Sequence, residues 1–177
     1  MTTKTGITRT LVGGACAVLA LTGCSGTIAG TPTPVTSSSA ASTSTSGADI
    51  FANLNPCQVL DQVLAGQGFN PGERKTTRNE CGALKPGLGT YGLALDPVQG
   101  LVEFTQTDPS AVKIDVNGRN ALQATTQTGG CTVAIEVSAH ARASVDVHLS
   151  RTTDLSVACS NAVQFAQQVE PLLPKMQ

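Results

Sequence analysis

The side chains with chemistry to offer in this 177-residue chain are its six cysteines and two histidines. Cys57, Cys81, Cys131 and Cys159 fall where the sequence is patterned like a folded domain. None of them has the Cys-x-x-Cys spacing typical of a zinc site, so disulfides are expected, with three connectivities open. The sequential pairing, Cys57–Cys81 with Cys131–Cys159, is the one expected. It places one cysteine of each pair on a helix pattern and the other on or near a strand pattern, which rivets a helix to a sheet. Each bond closes a loop worth roughly 3–4 kcal/mol in the chain-entropy model. A nucleophile would need a base, and only His140 and His148 are on offer. His140 sits in a turn between two strand patterns. His148 lies on a polar strand face, two residues from Asp146 and across a hairpin from Glu136. A cation site, a proton-responsive patch and an ordinary polar sheet face all fit, and simple alternation already accounts for the third. If Val137 pairs with Val145, Glu136 meets Asp146; a slide of two residues sets Glu136 against His148 instead. No Gly-x-Ser-x-Gly context flanks a serine. The expectation is a non-enzyme with no catalytic residue, no metal and no cofactor.

Cys24 reads differently. Residues 1–23 have the pattern of a secretory signal, with Lys4 and Arg9 ahead of a stretch, residues 11–21, that is apolar or small throughout. That stretch is too short to span a bilayer. It ends in Leu21-Thr22-Gly23-Cys24, which looks like a bacterial lipobox, the motif after which the cysteine is acylated and becomes the mature N-terminus. The implied partner is the membrane, reached through lipid on Cys24, and the implied location is its extracytoplasmic face. Export also places the remaining cysteines where disulfides persist.

Residues 24–48 carry the lipidated cysteine and a linker of Ser, Thr, Ala, Gly and Pro. No charged residue occurs between 25 and 47. Such a segment cannot bury enough apolar surface to offset its ordering entropy, so a disordered tether is expected. Its Ser/Thr density beside Pro32 and Pro34 would also suit O-glycans. Removing Lys4 and Arg9 from 11 basic residues leaves 9 against 12 acidic ones, a formal net charge of −3. A mildly acidic chain with no Trp, one Tyr and four Phe lacks both the basic face and the stacking platforms of a nucleic-acid binder. Arg74, Lys75 and Arg78 form one basic cluster, which reads as a solvated loop because no Gly-rich cradle accompanies it.

The globular domain is expected over residues 49–177. Asn55-Pro56-Cys57 opens a helix, Cys57, Leu60, Val63 and Leu64 give it an apolar stripe, and Gly66 stops it. Strand patterns follow at Cys81–Leu84, at Tyr91, Leu93 and Leu95, and at Val102 and Phe104. Val112, Ile114 and Val116 alternate into Asn117-Gly118, a strong hairpin signal, and residues 119–126 return. Cys131, Val133, Ile135 and Val137 alternate, a polar turn spans residues 139–143, and Val145, Val147 and Leu149 complete the closing hairpin. Asp154 then caps a helix carrying Leu155, Ala158, Cys159, Ala162, Ala166, Val169 and Leu173 at helical spacing. The class is α+β: an antiparallel sheet of about five to seven strands, with the N-terminal and C-terminal helices packed on one face and two disulfides as staples.

The order of signal, lipobox, uncharged linker, Pro-Cys-x-x-Leu helix, second cysteine, Asn-Gly turn, Cys-Thr-Val strand and Cys-bearing last helix ending Leu-Leu-Pro resembles a family of actinobacterial, notably mycobacterial, cell-envelope lipoproteins with a domain of unknown function. Many relatives carry Trp just after the second cysteine, where this chain has Cys81-Gly82-Ala83. The resemblance implies an envelope lipoprotein and brings no catalytic residues with it. The function expected is therefore a binding or accessory module. The alternatives are a carrier holding an apolar ligand or lipid between sheet and helices, and an unrecognised envelope enzyme.

Overall fold

The computed structural model describes residues 50–75, 78–151 and 154–175. Seven strands form one antiparallel sheet: β1 (Glu73–Arg74), β2 (Glu80–Lys85), β3 (Gly89–Asp96), β4 (Val112–Val116), β5 (Arg119–Thr125), β6 (Gly130–Ser138) and β7 (Ala141–Leu149). Their spatial order is β1-β2-β3-β7-β6-β5-β4, so the closing hairpin β6–β7 lies inside the sheet and β4 ends one side. Three α-helices accompany it: α1 (Pro56–Val63), α2 (Leu101–Thr107) and α3 (Leu155–Val169), the last running into a 3-10 turn at Glu170–Leu172.

The terminal helices begin where their capping residues dictate. The Asn55 side chain accepts from the Cys57 N–H at 2.9 Å, with Pro56 occupying the first position, whose missing N–H costs nothing there. Asp154 accepts from the Ser156 N–H at 2.9 Å in the same way. Both helices lie on one face of the sheet. Register places Cys81, Leu93, Val145 and Val133 in one row across that face, and Ala83, Tyr91, Val147 and Cys131 in the next. These side chains, with Leu60 from α1 and Ala162, Phe165, Ala166 and Val169 from α3, make the core. The only Tyr in the chain links two rings there: Tyr91 lies 4.8 Å from Phe69 and 5.2 Å from Phe165 between centroids.

Three local readings of the sequence are corrected. Val102 and Phe104 belong to a helix, α2, not to a strand. The Glu103 carboxylate reaches back to the Gly100 N–H at 2.8 Å, and Gly100 lies so close to the Ala139 carbonyl that a Cβ would stand 2.3 Å from its oxygen. The turn of the closing hairpin is Ala139-His140, not residues 139–143, because Ala141 and Ala143 are core residues with no exposure. A bulge between Glu136 and Ser138 then sets the register, and Glu136 faces Arg142 rather than Asp146 or His148. A residue of opposite charge thus stands opposite Glu136 in register, with the Glu136 side chain bonded to Asn120 and that of Arg142 paired with Asp96.

Candidate binding groove

The four domain cysteines are joined as the sequential pairing requires. Cys57 on α1 bonds Cys81 on β2, and Cys131 on β6 bonds Cys159 on α3, with Cα atoms 5.1 and 4.9 Å apart. Cys24 and the segments read from the sequence as a signal and a linker lie outside the described residues. Arg74, Lys75 and Arg78 are exposed, and Lys75 reaches over Gly82. The histidines do not come together. His140 is 79% exposed, with its Nδ1 3.8 Å from a Glu103 oxygen. His148 pairs in register with Thr90 and Gly130, its ring seated on the Gly130 backbone. Among the described residues no group of three or more His, Cys, Asp or Glu side chains is placed to hold a metal.

Beside His148, Asp146 accepts a hydrogen bond from the Thr132 hydroxyl. Burial pushes the Asp146 carboxyl above the usual aspartate range, opposed by that bond and by the charge of His148. This is a carboxyl held under partial cover on the sheet face opposite the disulfides, with its proton-bearing neighbour the Thr132 hydroxyl. Ser110 and Lys113 have Ser-x-x-Lys spacing, a pattern missed in the sequence. Residues three apart share a face on a helix but not along a strand, and here they straddle a turn and the start of β4. The Ser110 hydroxyl is bonded to Asp108 Oδ1 at 2.7 Å.

One concave feature lies on the sheet face opposite the disulfides, and α2 makes a wall of it. Arg142 holds that helix down: its guanidinium stacks 5.4 Å from the Phe104 ring centre, donates to the Gly100 carbonyl at 2.9 Å and lies 3.4 Å from Asp96. Among the described residues, Arg142 Nε is buried without a hydrogen-bond partner, while its two Nη atoms are bonded. Glu103, at the first turn of α2, has its carboxyl held below the usual range by backbone N–H groups, then by the charges of His140 and Arg142. Because α2 spans only seven residues, it leaves the β4–β5 side of this face uncovered.

What remains is an open groove of about 580 Å³. Leu101, Val102 and Thr105 form one wall; Leu122, Lys113 and Glu136 lie across from them. Val102 is 65% exposed, so a large apolar side chain is displayed rather than packed. The two charges differ in standing. Glu136 accepts from Asn120 Nδ2 at 2.7 Å, whereas Lys113 makes no ion pair among the described residues. One positive and one negative charge leave the groove apolar and without net charge.

These features define a small α+β domain, one open antiparallel sheet with two helices riveted to one face and a short helix roofing a groove on the other. No helix among the described residues is long and apolar enough to cross a membrane. Residues 19–172 match the family model for DUF3558, described as proteins of unknown function, and the chain belongs to that family. No curated protein and no solved structure matches it.

Proposed function

We propose that this protein is a non-catalytic binding module of the cell envelope, tethered to the extracytoplasmic face of the membrane by lipid on Cys24, and that it takes an uncharged apolar chain into the groove beneath α2. The observation that carries this reading is the groove itself: about 580 Å³ of open space walled by Leu101, Val102 and Leu122, with its charges cancelled. Pockets for small apolar ligands are concave, largely preformed and mostly apolar. The carrier reading of the sequence requires a cavity between the sheet and its helices. The terminal helices are packed tight against the sheet, so the space on offer belongs to α2. Two disulfides suit an oxidising compartment, and the lipobox at Cys24 supplies the anchor of the actinobacterial lipoproteins that the cysteine order resembles.

The test uses N-phenylnaphthylamine, a neutral probe that fluoresces in apolar surroundings. The full chain should bind it saturably, and Val102→Glu, which charges an exposed wall position without touching the core, should abolish the signal. Equal binding by Val102→Glu would refute the assignment of the groove. Cys24→Ala tests the anchor separately: the variant should leave the detergent phase while still binding the probe.

A further inference from the structure

The hairpin β4–β5 turns through Asn117 and Gly118, both with positive φ, 53° and 90°. In a two-residue hairpin the flanking residues, here Val116 and Arg119, exchange both backbone hydrogen bonds, and pairing alternates from there. Val112, Ile114 and Val116 therefore direct their backbone groups to β5. Lys113 and Asp115 direct theirs outward, from the last strand on that side of the sheet. The opposite edge is blunted, since β1 has only two residues. β4 has five, Val112 is 54% exposed and Ile114 is half-buried.

An edge of that length offers itself to another strand. A lone edge lysine would repel a second copy, but Asp115 follows Lys113 at the next position on the same face. Consider antiparallel pairing of two β4 strands about a two-fold axis through Ile114. Lys113 then stands opposite Asp115 of the second copy, and Asp115 opposite its Lys113. Val112 meets Val116, and Ile114 meets its own counterpart. Hydrogen bonding agrees, because Lys113 and Asp115 are the residues whose backbone groups face outward. The register is also selected: a slide of two residues one way opposes Lys113 to Lys113, and the other way Asp115 to Asp115. One oxygen of Asp115 holds the Gly118 N–H at 2.9 Å, and the other bonds no described donor.

We infer that the β4 edge is a self-complementary interface, through which two copies of this chain join their sheets into one across a two-fold axis. Such an interface is isologous, the commonest kind in homodimers. It does not depend on what the groove binds, and pairing would neutralise Lys113 at the groove's rim.

The experiment is analytical ultracentrifugation of the full chain in mild detergent over a concentration series. The unmodified chain should show a reversible monomer–dimer equilibrium. Lys113→Asp opposes carboxylates at both symmetric positions. Two attractive pairs are lost and two repulsive ones gained, so the dimer should loosen by between about fourfold and about a thousandfold. Adding Asp115→Lys to Lys113→Asp restores opposite charges and should return the dissociation constant to within about threefold of its original value. An unmodified chain that stays monomeric throughout would overturn the inference, as would a Lys113→Asp dimer of undiminished affinity. The Lys113→Asp comparison decides by itself, because Lys113 is exposed and makes no bond that folding needs, and circular dichroism checks that the fold is kept.

Discussion

Glu170→Gln should be among the most damaging single-atom changes this domain can suffer. Arg119 leaves β5 on the core side and is 7% exposed, the one charged residue among the described residues that are buried. Its Nε donates to Glu170 Oε1 at 2.6 Å, its Nη2 to the Pro174 carbonyl at 2.8 Å and its Nη1 to the Glu136 carbonyl at 3.4 Å. The ion pair therefore ties the C-terminal 3-10 turn to the sheet, and Asn117 adds a bond to the Gln167 carbonyl at 2.9 Å. Removing one partner of a buried pair strands the other charge at a cost of 3–5 kcal/mol. Two backbone carbonyls still solvate Arg119 after Glu170→Gln, so the low end applies, about 3 kcal/mol. With a urea m-value of about 2 kcal/mol/M, the unfolding midpoint should fall by roughly 1.5 M. Arg119→Met should cost about 2 kcal/mol, because Glu170 is partly exposed and keeps Asn117 Nδ2 at 3.3 Å. The decisive measurement is the double variant Arg119→Met/Glu170→Met set against the singles Arg119→Met and Glu170→Met, all with the disulfides intact. Since a buried pair gains little over well-packed apolar side chains, the double variant should cost well under the sum of the two singles. That implies a coupling of about 2 kcal/mol or more. Costs that add to within about 0.5 kcal/mol would refute the claim that the two charges hold each other in place.

Other outcomes follow from the same structure. Burial raises the folded-state pKa of Asp146 above its unfolded value, so the native state binds the extra proton between the two. Stability from this group is then fullest below the unfolded value, near 3.9, and is lost as pH climbs through the folded one. Asp146→Asn should consequently stabilise the domain at pH 7 relative to pH 3, and thermal unfolding showing the same difference at both pH values would contradict the burial argument. Replacing Cys131 and Cys159 together by Ala opens a loop of sequence separation 28 and should cost about 3.5 kcal/mol, read from urea midpoints. Gly100→Ala would drive a Cβ into the Ala139 carbonyl, so it should cost about 2 kcal/mol or more and weaken probe binding by lifting α2.

The parts of the fold written locally were legible in the sequence. Asn55 and Asp154 announce their helices because a capping side chain acts within three residues. Asn117-Gly118 announces its hairpin because few residue pairs tolerate positive φ twice running. Joining a helix pattern to a strand pattern excludes only Cys57–Cys159 with Cys81–Cys131, so the fold had to decide between the sequential pairing and Cys57–Cys131 with Cys81–Cys159. The centre of the sheet was harder. Ala141 and Ala143 are as deeply buried as Val145 and Val147, yet alanine carries little strand signal and, with Arg142 between them, these residues pass for a turn.

The groove was hidden for a different reason: no residue in it has an unusual neighbour along the chain. Val102 and Phe104, two apart, match a strand, whereas Leu101 and Phe104, three apart, match a helix. What decides for the helix is the Glu103 contact to Gly100 and, forty residues on, the Arg142 stack on Phe104. Arg142 was itself obscured by the misplaced turn, so one error of register concealed both the helix and the space beneath it. The edge interface has the opposite character. Val112-Lys113-Ile114-Asp115-Val116 displays its self-complementarity in five consecutive letters, but those letters acquire meaning only once β4 is known to end the sheet. The same alternation on a central strand would pair with neighbours of its own chain and say nothing about a second copy. Edge position turns a local pattern into an intermolecular one, and that position is set by the whole topology rather than by any stretch of sequence.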